Sequence, residues 1–352
     1  MTTVVNGAAR GRPGPGRGPT VNDVHHALGR AARDGAGDRE LDDVDVEAAV
    51  DAAAAMLAGG HAGQDAARVA EQLGANTAAM GDLELPSSAR RPVDWSGFGA
   101  LIPVLSGSPG AGASALAAGI ADALQLAARC VLLIDAADPA RSGLAAAAPA
   151  EGPWTFPLTA QLAIRYSWRG QALLARLESG LPVITPGMMP PPPQWLPELE
   201  PLHVTVVDIG HDGWRATANP LVGAGGWLRR GSPSARPILV VRPTRPSLRH
   251  AEQLLARLDP WVSAGAAIPP CQLAVTGAKR WPRGVAGAAG RRLQPLLDDA
   301  LFIPHDGDLQ VAGVTDELMP GRVLDAVAPL LADWGLLPPP GRARSRSRKG
   351  QS

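Results

Sequence analysis

The sequence predicts a three-layer α/β domain with a mostly parallel sheet, preceded by a small helical module. Three observations carry this. From about residue 98 onward, short continuous apolar runs alternate with stretches of helical spacing, the pattern of parallel strands covered on both faces by their connecting helices. The first run, LIPVL, leads into a glycine-rich turn and then a helix, which sets backbone N–H groups at the carboxyl edge of such a sheet. The chain has 352 residues and is 45% hydrophobic, enough to bury a core of that size.

In chain order, residues 1–20 (MTTVVNGAARGRPGPGRGPT) are rich in Gly, Pro and Arg and predict a disordered arm. Residues 21–80 predict a helical module. In DRELDDVDVEAAVDAAAAMLAGG, Leu41, Val44, Ala48 and Met56 recur at helical spacings, with acids gathered near the N-terminus, where the helix dipole favours them. A second helix is expected over Gln64 to Leu73. The module reads either as a solvated helical pair or as a docking element for another protein. Residues 81–97, including SSARRPVDW, predict a linker.

Residues 98–337 form the predicted α/β domain. Its strands are expected at LIPVL, CVLLID, LPVIT, HVTVVDIG, PILVV, QLAVT and LFIPHD. Helices are expected over Ser114 to Ala128, near Gln171 to Glu178, over Ser247 to Leu258 and at the end, where Val323, Val327, Leu330, Leu331 and Trp334 share a core-facing side. PGMMPPPPQW is a proline-rich loop. Cys130 and Cys271 adjoin apolar runs and are expected to be buried free thiols in a reducing compartment. The basic tail, residues 338–352, ends in GRARSRSRKGQS with five positive charges. It predicts a solvated segment, or weak contact with nucleic-acid phosphates or an anionic membrane.

Acidic and basic residues balance at 33 each, so no net field drives the molecule onto nucleic acid or lipid. No signal-peptide pattern opens the chain and no run reaches about 18 apolar residues. These features predict a cytoplasmic protein without a transmembrane segment.

The chemistry centres on LSGSPGAGASAL, Leu105 to Leu116. Gly107 to Ser114 fits the phosphate-loop pattern G-x-x-x-x-G-K-[ST] at every fixed position except the lysine, which is Ala113. Around this loop the sequence resembles the ParA/MinD family of P-loop ATPases, whose loop reads roughly S-G-K-G-G-x-G-K-T. Aligned on Ser106 and Gly107, the family's signature lysine falls on Ser108 and its Walker lysine on Ala113. CVLLIDAADP resembles the family's second strand and ends in Asp135, with Asp138 and Pro139 following. VTVVDIG resembles its Walker B strand and ends in Asp208. LVVRPTRPSLRHAEQLL resembles the next strand and helix, and LFIPHDGDLQVAGV resembles the late I-P-x-D turn with Ile303, Pro304 and Asp306. The match covers about residues 98 to 337. The segment VTGAKRWP lacks the family's base-contacting Asn.

The resemblance implies a three-layer P-loop NTPase-like fold, ATP or ADP with magnesium as cofactor, protein partners and a homodimer formed across the nucleotide face. It implies nucleotide contacts at Gly107, Gly110, Ala111, Gly112, Ala113, Ser114 and Ala115, and magnesium held by Ser114 with Asp135 or Asp208. Losing a lysine about 4 Å from a phosphate removes roughly 4 kcal/mol of attraction at an effective dielectric of about 20, and hydrolysis further loses its preorganised cation. Three readings of the loop follow: an empty packing turn with no cofactor, nucleotide binding without useful hydrolysis, and an active ATPase in which Arg141, Arg242 or Arg245 substitutes. The reading adopted is a degenerate ParA/MinD-like adaptor or localisation factor for a partition, conjugation or secretion machine.

A nicotinamide-dependent oxidoreductase is the alternative of another class. Gly110, Gly112 and Ala115 also satisfy G-x-G-x-x-[GA], and Asp135 follows about 20 residues later. Against it, the single tyrosine, Tyr166, has Gly170 four places on, so the Tyr-x-x-x-Lys pair is absent. A serine hydrolase fares worse, because SGSPG has Ser106 where the first glycine of G-x-S-x-G should be and Ser114 lacks the closing glycine. Seven scattered histidines without H-x-x-x-H or Cys pairs give no metal site beyond magnesium at Ser114.

Overall fold

The computed structural model describes residues 90–152, 154–197, 201–210 and 212–338. The predicted arm, helical module and basic tail fall outside these residues, as does the linker up to residue 89.

The described chain opens with β1 (Val93–Asp94), β2 (Ala100–Ser106), α1 (Ala113–Leu126) and β3 (Val131–Asp135). Three strands then follow without a helix, β4 (Trp154–Pro157), β5 (Leu162–Arg169) and β6 (Ala172–Ser179). Next come β7 (Val204–Asp208), α2 (Gly213–Ala218), β8 (Gly231–Ser232), β9 (Ile238–Val241) and α3 (Arg245–Ser263). The chain closes with β10 (Gln272–Thr276), β11 (Leu301–Ile303), α4 (Gly307–Ala312) and α5 (Gly321–Asp333).

Nine strands form one sheet in the order β11-β10-β9-β2-β7-β3-β6-β5-β4. The seven from β11 to β6 are parallel, and β5 and β4 are added antiparallel. β2, β3, β7 and β9 are almost wholly buried and are dominated by Val, Leu and Ile, because both sheet faces are covered. One face packs α1 and α5, with Ile102, Leu116, Ile120, Val323, Val327 and Leu331 at the centre. The other packs α3 through Leu248, Ala251, Leu254 and Leu258. α1 owes its helicity to alanine and to burial of eleven of its fourteen residues. α3 starts on a Thr244 cap, whose hydroxyl accepts from the Ser247 amide at 3.3 Å, with Pro246 in the first turn.

The closing helix buries its predicted face, with Leu330 and Trp334 partly buried against the core. Four expectations are corrected. The predicted helix near Gln171 to Glu178 is β6, paired along its whole length with β5. LPVIT forms no strand. Both cysteines are exposed, because each sits just before its apolar run, outside the sheet. The end of the predicted linker is ordered: β1 pairs with β8, and Trp95 is buried in a stack with Trp227 at 6.0 Å, with Phe98 edge-on to both rings. No helix among the described residues is long and apolar enough to cross a membrane.

Candidate functional site

β2 delivers Ser106 to the carboxyl edge of the sheet, and Gly107 to Gly112 turn the chain into α1. The turn needs glycine at two places. Gly110 has φ +68° and Gly112, the N-cap of α1, has φ +93°, a region that costs other residues about 1 kcal/mol or more. The Ala111 amide folds back on the Ser108 carbonyl at 3.1 Å, and the Leu116 amide bonds Gly112. The amides of Ala113, Ser114 and Ala115 are the first of the helix and have no intrahelical acceptor. They face the end where the dipole favours an anion. Ala113, at the lysine position, is buried.

The turn is pinned from outside. The Gly107 amide donates to Val240 on β9 at 2.8 Å. The Ser108 and Ser247 hydroxyls share a bond of 2.9 Å, Arg242 Nε donates to the Gly110 carbonyl at 2.7 Å, and the Thr276 hydroxyl donates to the Ala111 carbonyl. These contacts span 132 to 165 residues of sequence, and no local motif announces them.

Beside the loop, β3 and β7 lie in register with Asp135 opposite Asp208. Both are buried. Asp135 Oδ1 accepts from the Ala137 amide at 3.2 Å and Oδ2 from the Ser142 hydroxyl. Burial, and then the neighbouring Asp208, push the Asp135 carboxyl up to about 7, against the favourable effects of Ser142, Ala137 and Arg176. Burial also raises Asp208. Its Oδ1 accepts from the Gly210 amide at 2.9 Å, but Oδ2 is buried without a partner. The Ser114 hydroxyl is near enough to favour the charged form of Asp208, yet outside hydrogen-bonding geometry to that orphan oxygen. A cation would answer both the repulsion and the missing bond.

The segment after β3 closes over Ser114. A Cβ on Gly143 would lie 2.3 Å from the Ser114 hydroxyl, so only glycine allows this approach. Beyond Asp135 opens a cavity of about 850 Å³, lined among others by Ser142, Glu151, Arg165, Arg176 and Glu178. Its arginines are already paired: Arg165 with Glu178, and Arg176 with Glu151 at 3.0 Å.

The sequence-predicted residues thus divide. The loop residues, Ser114, Asp135 and Asp208 come together at one sheet edge. Arg242 joins them, while Arg245 Nε turns away to the Gly284 carbonyl at 3.3 Å. Arg141 lines a small pocket with Asp138, Gly210 and Arg215. Asp306 caps α4 through the Leu309 amide at 2.9 Å and pairs with Arg322. Sequence reasoning missed Ser142, Ser247, Thr276 and Gly143, which act only through folding.

Fold and site together define a three-layer α/β protein with a strand, glycine-rich turn and helix of the phosphate-loop kind. No family model and no curated protein matches the chain. Among solved structures it is similar to the MinC:MinD cell division protein complex of Aquifex aeolicus, at 18% identity and TM-score 0.43 over 66% of this chain and 96% of that one. It is also similar to apo McdA of Cyanthece, at 12% identity and TM-score 0.44 over 67% and 98%. A third likeness is to a ParA family ATPase of Chlorobium tepidum TLS, at 16% identity and TM-score 0.37 over 68% and 99%. At such identities and scores the chemistry has to be argued from this chain's own residues.

Proposed function

We propose that this protein is a degenerate ParA/MinD-like phosphate-loop protein that binds a nucleotide with magnesium without turning it over. It serves as an adaptor or localisation factor, acting through protein partners and as a homodimer, for a partition, conjugation or secretion machine. One observation carries the binding half: free helix-start amides stand beside a buried carboxylate pair with one oxygen of Asp208 unpartnered. Anion donors and a cation-seeking acid at one sheet edge suit a metal-bound polyphosphate better than either suits packing.

The donor set fits magnesium. Ser114, Asp135 and Asp208 offer hard oxygens, and magnesium is ordinarily held by one or two carboxylates plus phosphates. Among the described residues no cluster of three or more His, Cys, Asp or Glu offers a self-sufficient metal cage. When bound, magnesium neutralises phosphate charge. Ser114 would orient it, and the Asp pair would give up its proton to hold it. Buried Ala113 supports the absence of hydrolysis, since charge developing on the transferred phosphoryl meets no lysine from the helix.

The strand order weighs against the dinucleotide alternative. A ribose-binding acid belongs on the strand next to the glycine-rich turn, but β7 stands between β2 and β3, which removes Asp135 from that place.

Calorimetric titration of the full chain with ATP and magnesium, ADP, and NAD(H), alongside a phosphate-release assay, tests the reading. ATP binding that needs magnesium, with no release above blank, is expected. Release abolished by Asp208→Ala would overturn the non-hydrolysing half, no binding would overturn the site, and NADH binding alone would restore the dehydrogenase.

A further inference from the structure

We propose that Arg242 is the phosphate-binding cation of this loop, reaching it from β9 and not from the helix. The inference rests on the nucleotide-binding reading above and names the side chain that gives that site its positive charge.

β9 lies beside β2 with Ser106 opposite Val240, so Arg242, just past the strand end, emerges level with the turn. Its placement is built twice over. The Arg242 amide donates to the Ser247 hydroxyl at 2.9 Å, and Ser247 in turn meets Ser108 of the turn. The side chain then crosses to the Gly110 carbonyl through Nε at 2.7 Å. A guanidinium carries five N–H donors in a planar fork. One is spent on Gly110, and the four on Nη1 and Nη2 meet no acceptor among the described residues. The side chain is exposed, so these donors are open to a ligand at the mouth of the loop.

The sequence explains why an arginine would take this part. Only two lysines occur in the chain, Lys279 and Lys349, and neither is in the turn. A guanidinium can bond a loop carbonyl and a phosphate at once, whereas an ammonium offers a point charge without that fork. On the other flank, Asp208 Oδ2 is buried and unpartnered, and it calls for a cation there. A polyphosphate is thereby bracketed by Arg242 on one side and a metal at the acids on the other.

The test titrates inorganic pyrophosphate and ATP, each with magnesium, into the full-length wild type, Arg242→Gln, Arg242→Ala and Arg245→Ala, with thermal unfolding of each free protein. Gln keeps an amide N–H donor on a shorter stem and removes both the charge and the open Nη donors. Both Arg242 variants are expected to weaken both ligands by at least about tenfold, as loss of a charged hydrogen bond does. Their affinity should fall less steeply with salt, their free melting temperatures should stay within about 2 °C of wild type, and Arg245→Ala should bind like wild type. Wild-type binding that changes less than about threefold in Arg242→Gln would overturn the assignment and leave the loop reading standing. A wild type that binds neither probe would overturn that reading, and Arg242 with it.

Discussion

Among the described residues, two buried pairs of ionisable side chains differ in completeness. Asp122 on α1 and Arg169 at the end of β5 are of opposite sign and fully buried. Asp122 accepts from Gln125 at 2.6 Å, from Arg169 at 2.8 and 3.0 Å and from the Met319 amide at 2.8 Å. Arg169 also donates to the carbonyls of Ala147, Thr315 and Glu317. Asp135 and Asp208 are of like sign, one pushed up to about 7, with an oxygen bonded to nothing. A buried charge whose bonds are all made holds a structure together; one whose bonds are missing marks where something else binds.

The comparison can be broken first at the complete pair. Asp122→Ala leaves Arg169 charged and unpaired in the interior, and is expected to cost about 3–5 kcal/mol in urea unfolding. A loss under about 1 kcal/mol would show that water reaches the guanidinium and that the pair is not sealed.

The incomplete pair should behave oppositely. Asp135 titrates near 3.8 when unfolded and about 7 when folded. Between those values the folded protein keeps a proton that the unfolded chain has released, so stability of the free protein falls as pH rises through this window and is level above it. The drop is expected to be about 2–4 kcal/mol. Asp208→Asn should remove only the share of the drop that Asp208 contributes, the larger share coming from burial of Asp135, as read by denaturation at pH 5 and 8. A wild type equally stable at both would mean that neither burial nor Asp208 raises the Asp135 carboxyl.

Gly143 packs against Ser114, beside the incomplete pair. Gly143→Ala would set a methyl against Ser114, with an expected cost of about 1–3 kcal/mol, and Ser114→Gly should recover most of it in the double variant. Least affected should be the far edge, where Phe156 of β4 is 52% exposed. Phe156→Ser is expected to change stability by no more than about 1 kcal/mol; a larger loss would show that this edge is covered in solution.

The same division governs what the sequence revealed. The parallel half was legible because burial on both faces leaves its central strands predominantly apolar, and because β2, its turn and α1 are consecutive. The acids were legible as strand endings. The antiparallel flap was not. Leu173, Leu174 and Leu177 of β6 fit a helical face as well as a strand, and the helix prevailed. A signal was there: Ile164, Tyr166 and Trp168 alternate with Arg165, Ser167 and Arg169, a period of two, and a two-residue turn with Gly170 at φ +58° joins Arg169 to Ala172. The burial of Arg169 carried no local signal, because an arginine on an alternating strand ordinarily faces water; here α1 and residues 315–319 close over it. The pinning of the loop by Ser247, Arg242 and Thr276 was illegible for another reason: each contact joins residues more than 130 apart.

The position of β2 in the sheet sets a timetable for the chain as it is made. Its hydrogen-bonded neighbours are β7 and β9, so the strand synthesised first in the sheet has no partner on either side until residues 204–208 emerge, and lacks its second until 238–241. Pairings of such long sequence separation form slowly, since loop closure must precede them. During synthesis the glycine-rich turn is therefore among the last features to take shape, and ligand recognition must wait until well over half of the polypeptide has left the ribosome.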